Sequence, residues 1–146
     1  MAGVASPWPH RFPVRVYFED TDAGGIAYHA SYLRWAERGR TESLRAIDLP
    51  HQLMIQRHAS LLVVRRVEVE YVAPARLDDD LVVETRVRRL GGASVDLDQD
   101  VVGAGGGVKA SLRVGLVCVR AGDMRPVAIP EPWRSALRAA LGPGPE

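Results

Sequence analysis

The segment Asp20-Thr-Asp-Ala-Gly-Gly-Ile-Ala-Tyr-His29 places two carboxylates, an imidazole and two adjacent glycines within ten residues. A carboxylate beside oriented N–H donors can hydrolyse an activated acyl group, the carboxylate serving as base or nucleophile and the donors holding the developing oxyanion. A thioester is the least demanding substrate of that kind. Its leaving thiol has a pKa of about 8.5, so departure needs little general-acid help. No Gly-x-Ser-x-Gly or comparable nucleophile motif competes for the role. The same residues also fit a bland reading: Asp22 ahead of glycines suits a turn, and His29 suits a local helix cap or a packed side chain. Asp20 reads as a solvated carboxylate at a strand end. Gly24 and Gly25 would let the backbone approach a ligand closely.

The elements on either side decide where these groups point. Phe12, Val14, Val16 and Phe18 alternate with Arg15, Tyr17 and Glu19, so a strand is expected over 12–18. A helix is expected over about 30–47, with Tyr32, Trp35, Ala36, Gly39, Ser43, Ala46 and Ile47 forming one stripe and Arg34, Arg38, Glu42 and Arg45 facing solvent. Such a helix would present its free N–H groups at His29. Gly39 in mid-helix implies close packing on another backbone, and Trp35 reads as core. One helical turn is expected near 52–56. Four strands follow, marked by Val67/Val69/Tyr71, Val83/Thr85/Val87, Val95/Leu97/Val101 and Ala110/Leu112/Val114/Leu116. The connectors Pro74 to Asp80, Gly91-Gly92 and Gly103 to Gly107 suit antiparallel reversals. A short helix is expected over 133–141, with the Gly-Pro-Gly-Pro end fraying. The order predicts an α+β two-layer domain, a curved antiparallel sheet of about five strands wrapped around one long central helix. A single domain over 1–146 is expected, with its core over about 12–130.

Composition narrows the partners. With 47% hydrophobic and 25% charged residues and a net charge of +1, nothing suggests nucleic acid or a membrane surface as a partner. Pro7, Pro9 and Pro13 interrupt the place where a secretory leader would carry its apolar run, and no apolar stretch approaches a membrane span. A cytoplasmic protein is expected. The single cysteine, Cys118, lies in an apolar strand and reads as a buried thiol. His10, His29, His51 and His58 lack metal-ligand spacing, so no metal and no cofactor are expected. Arg65, Arg66, Lys109 and Arg113 are positions where a nucleotide phosphate could be met.

The run from Arg15 to Tyr32, with Glu37-Arg-Gly-Arg-Thr-Glu42 and Val67-Glu-Val-Glu-Tyr-Val-Ala-Pro-Ala-Arg-Leu-Asp-Asp79, resembles the 4-hydroxybenzoyl-CoA thioesterase family. It is most similar to the YbgC-like branch, the acyl-CoA thioesterases associated with the Tol-Pal system. The resemblance covers about residues 12–130 and implies the hotdog fold. It also implies hydrolysis of an acyl-CoA or acyl-carrier-protein thioester, with a homodimer as the minimum assembly and a tetramer for this branch. By motif position the catalytic carboxylate falls on Asp22 and the histidine on His29, whose backbone N–H matches the carbonyl-polarising donor. Gly25, Tyr28 and Tyr32 fall around the substrate. The branch carries a tyrosine where this chain has Phe18, so any hydroxyl role there passes to Tyr28 or Tyr32 or is lost. Two other outcomes remain open: a hotdog acyl-thioester dehydratase, or a non-catalytic binding module for acyl-CoA or acyl carrier protein.

Overall fold

The computed structural model describes residues 6–141. The elements in chain order are β1 (His10–Arg15), a 3-10 turn (Phe18–Asp20), α1 (His29–Ala46), α2 (His51–His58), β2 (Ser60–Tyr71), β3 (Asp80–Leu90), β4 (Ser94–Gly103), β5 (Val108–Arg120) and α3 (Trp133–Ala140). The strands form one antiparallel sheet in the order β1-β3-β4-β5-β2. One face of the sheet packs on α1, giving the α+β hotdog arrangement. The Gly-Pro-Gly-Pro end lies outside the described residues. Among the described residues, no helix is long and apolar enough to cross a membrane.

The period-two pattern works as expected in the three central strands. Leu81, Val83, Thr85 and Val87 of β3, Val95, Leu97, Gln99 and Val101 of β4, and Ala110, Leu112, Val114 and Leu116 of β5 all face the core. Cys118 continues that row, and burial raises its thiol pKa against the weaker opposing pull of a Ser60 hydrogen bond. Trp35 is fully buried and meets Tyr32 edge-on, ring centroids 5.1 Å apart. Trp133 and Leu137 on α3 join the same core, which therefore runs past residue 130.

Three expectations need correction. The strand does not continue to residue 18: β1 stops at Arg15, and the chain turns so that Phe18 is 81% exposed instead of sharing the face of Val16. Pro74 to Asp80 is no hairpin, because β2 and β3 lie on opposite sides of the sheet with β4 and β5 between them. On β2, Val67 and Tyr71 are exposed in the protomer although their spacing is that of a buried face. β2 is an edge strand with one side unpaired, and its register slips by one residue between Val64 and Arg66. Smaller departures are Ala46, exposed, and α2, which is longer than the single turn expected.

Gly39 shows how tightly helix and sheet meet. A Cβ built on it would lie 2.7 Å from Val83 Cγ1 and 3.3 Å from Gln99 Nε2. Gly39→Ala gains about 1 kcal/mol of helix propensity but overpacks a branched side chain, a cost of about 1–3 kcal/mol. The expected outcome is a lower thermal midpoint, the reverse of what the same change gives in an exposed helix. A raised midpoint would show that Val83 yields freely.

His51, on α2, is harder to protonate in the fold than in the unfolded chain. Burial lowers its pKa, Glu37 raises it, and Arg40 and Arg45 lower it further. His10 is lowered by burial against Glu42, and its buried Nδ1 has no partner among the described residues. Both groups bind protons more readily in the unfolded chain, so they add stability above about pH 6.5 that is lost as pH falls toward the folded-state values. Denaturant melts at falling pH should show this loss, and His51→Gln should reduce it. An unchanged slope in that variant would remove His51 from the account.

Candidate functional site

The loop between β1 and α1 is built on Asp20. Its carboxylate Oδ2 accepts the Tyr17 N–H at 2.8 Å, and its carbonyl accepts the Tyr28 N–H at 2.7 Å and the Ser31 hydroxyl at 2.9 Å. The side chain is buried, with Arg34 Nη2 4.0 Å from Oδ1. The expectation of a solvated strand-end carboxylate is therefore wrong. Ending the strand at Arg15 lets the chain fold Asp20 inward, where it ties the loop to the first turn of α1.

Asp22 is the exposed carboxylate of the pair. Its Oδ1 accepts the Gly24 N–H at 2.8 Å, and its backbone takes Gly25 N–H at 3.1 Å and gives its own N–H to Ile26 at 2.9 Å. The loop is thus a closed hairpin-like turn, with Thr21 opposite Ala27. Gly25 needs to be glycine for conformation: its φ is +79°, and nothing crowds its Cβ position. Its carbonyl accepts the Leu77 N–H at 3.2 Å, which anchors the turn to the segment before β3. One carboxylate oxygen of Asp22 is held and the other has no partner among the described residues.

His29 opens α1. Tyr28 at the N-cap provides no side-chain cap, and among the described residues nothing accepts the His29 N–H. A free donor at a helix start combines hydrogen bonding with the positive end of the helix dipole. The imidazole is exposed, its ring 4.2 Å from that of Tyr28. Tyr32 is buried, and its hydroxyl oxygen accepts the Ala75 N–H at 3.1 Å. Tyr28 is half exposed, its ring beside His29.

Tyr71 is the residue that sequence reasoning placed only as a strand position. Its hydroxyl donates to the His29 carbonyl at 3.0 Å, and its ring meets Tyr32 edge-on at 5.4 Å. Burial, then Tyr32, raises its pKa, so it remains a donor. Ile26, His29, Tyr32, Tyr71 and Val72 line a shallow groove of about 260 Å³ beside the helix start. The signal was present in Glu70-Tyr-Val-Ala-Pro74, where the strand runs into the segment that grips Tyr32. Of the basic residues considered for a nucleotide, Arg66 is paired with Glu68 at 2.6 Å and Arg113 lies 3.9 Å from Asp98, while Arg65 sits at the β2 irregularity.

The five-stranded sheet on α1, with a carboxylate-bearing loop feeding an uncapped helix start, is an architecture found among thioesterase-like proteins. The chain belongs to the thioesterase-like superfamily, which matches it over residues 16–140. Among curated relatives it is 48% identical over 122 residues to the acyl-CoA thioester hydrolase YbgC of Escherichia coli O6:H1, spanning 83% of this chain and 90% of that one. It is 41% identical over 126 residues to the acyl-CoA thioesterase YbgC of Haemophilus influenzae, spanning 86% and 92%. A crystal structure of a probable thioesterase from Bartonella henselae superposes with a TM-score of 0.78 at 32% identity, covering 83% of this chain and 98% of that chain.

Proposed function

We propose that the protein hydrolyses acyl-CoA thioesters to a free acid and CoA, with Asp22 and the His29 N–H as the working groups. The observation that carries this reading is the loop-to-helix junction, which holds an exposed Asp22 carboxylate by one oxygen and leaves the N–H at the start of α1 unclaimed among the described residues. The close identity to curated acyl-CoA thioesterases supports the substrate class.

The thioester carbonyl oxygen sits on the His29 N–H, which stabilises the tetrahedral oxyanion. Asp22 takes the proton of an attacking water, or attacks the carbonyl carbon itself to form a transient anhydride that water then opens. Collapse of the tetrahedral species breaks the C–S bond, and the thiolate leaves. His29 orients water, and Gly25, Tyr28 and Tyr32 border the substrate. Tyr71 fixes the peptide at His29 through its carbonyl. The acyl thioester lies between two protomers, since β2 offers an unpaired edge whose last residue, Tyr71, is part of the groove. A homodimer is the minimum assembly and a tetramer the expected one. An acyl carrier protein is a second acceptable thiol carrier, and the compartment is the cytoplasm.

Release of free thiol from a panel of acyl-CoAs, short to long and aromatic, tests the reading. Thiol release by the wild type above the Asp22→Asn background is expected for at least one chain. No release from any chain would sink it, and water loss from a hydroxyacyl thioester without thiol release would make the protein a dehydratase.

A further inference from the structure

A second cavity of about 260 Å³ lies far along α1 from the loop. Arg40 on its wall is eleven residues after His29, about 16 Å along the helix axis. Much of the lining is apolar, with Leu44 of α1, Ile55 of α2, Leu62 of β2, Leu97 of β4 and Leu137 of α3, and His51 of α2 stands in the same wall as Glu37 and Arg40. At roughly 30 Å³ per small group, the space takes about eight or nine groups of methylene size.

The polar part of the wall is unusual for such a space. Arg40 is half-buried, and its Nη1 donates to the Gln99 Oε1 at 3.0 Å. That amide oxygen is its one side-chain acceptor among the described residues, and no carboxylate there lies within ion-pair distance of it. Glu37, one turn earlier, also lines the cavity, but it is exposed and accepts the Thr41 hydroxyl at 3.3 Å. Burial lowers the Arg40 pKa and Glu37 pulls it back up, so the cation is desolvated and incompletely compensated. A guanidinium has five donors in a fork that matches a carboxylate, and only one of them has a side-chain acceptor here.

We propose that this cavity binds a medium-chain aliphatic carboxylate, its tail among the leucines and its head on Arg40. Identifying that ligand with the acid released from acyl-CoA rests on the hydrolysis proposed above. Binding itself does not depend on it.

The test is calorimetric titration of the wild-type protein with octanoate and, separately, octanol, at pH 8 and without any thioester. Octanoate should bind at least tenfold tighter than octanol. Arg40→Gln should erase that preference, and Leu62→Phe, which fills the space, should weaken both ligands. Equal affinity for the two ligands would overturn the role of Arg40. Absence of octanoate binding, or binding indifferent to both substitutions, would overturn the site. Binding lost as the protein is concentrated into an oligomer would give the cavity to a second copy and overturn it too. If Arg40→Gln does not fold, the wild-type comparison and Leu62→Phe still decide. Because no thioester is present, failure here is separate from failure of thiol release.

Discussion

Asp22→Asn is expected to lower kcat for acyl-CoA hydrolysis by about 10²–10⁴-fold, the usual worth of a positioned base, with KM and thermal midpoint little changed. The expectation follows from how the side chain is held. Oδ1 accepts the Gly24 N–H, and an asparagine Oδ1 accepts it equally well, so the loop and Gly25 keep their geometry. What disappears is the negative charge on the other oxygen, which neither takes a proton from water nor attacks a carbonyl once it is an amide. Asp22→Ala removes the turn acceptor as well, so it should also raise KM and lower the midpoint. A kcat within a few-fold of wild type in Asp22→Asn would mean that this carboxylate is only a turn residue. Single-turnover hydrolysis in oxygen-labelled water then separates the two chemical roles: label recovered in the Asp22 carboxylate supports the anhydride, and its absence favours the base.

Much of the frame around Asp22 was legible because it rests on short-range rules. The long α1, the central strands β3 to β5 and the two tight reversals between them follow from helical spacing, alternation and glycine-rich turns. The failures share a cause. Alternation reports that a face is covered, but it does not say by what. Val67 and Tyr71 alternate as a core face would, yet β2 lies at the sheet edge and leaves them exposed. Sheet order is a non-local property, so Pro74 to Asp80 looked like a hairpin when its strands are three positions apart. Asp20 and Phe18 exchanged expected environments because a single 3-10 turn reverses which side chain points inward, and nothing in a period-two pattern marks where a strand stops. At the site, Asp22 and His29 were visible as residue types beside a helix start. Tyr71 was not, because its hydroxyl reaches His29 across 42 residues of chain.

Gln99→Leu should produce the largest loss of stability among single core substitutions that nearly conserve volume, about 2–4 kcal/mol in the denaturant midpoint with an unchanged slope. Gln99 stands at the place where alternation demands an apolar residue, directly opposite Thr85 in the sheet, and both are fully buried. Its Nε2 donates to the Ala36 carbonyl and to the Thr85 Oγ1, each at 2.9 Å, while its Oε1 accepts from Arg40. One side chain therefore ties α1 to two strands at the level where Gly39 lets the helix backbone rest on the sheet. Leucine fills the volume but removes a partner from the buried Thr85 hydroxyl and from a half-buried cation, and such orphaned groups cost more than a hydrogen bond contributes. The Ala36 carbonyl is less affected, since it retains its place in the helix. Adding Thr85→Val to Gln99→Leu should therefore recover part of the loss by removing the orphaned hydroxyl, so the two changes will not be additive. Strict additivity in that cycle would show that Thr85 and Gln99 act independently, and that the cost of Gln99→Leu lies in its bonds to Ala36 and Arg40 on α1.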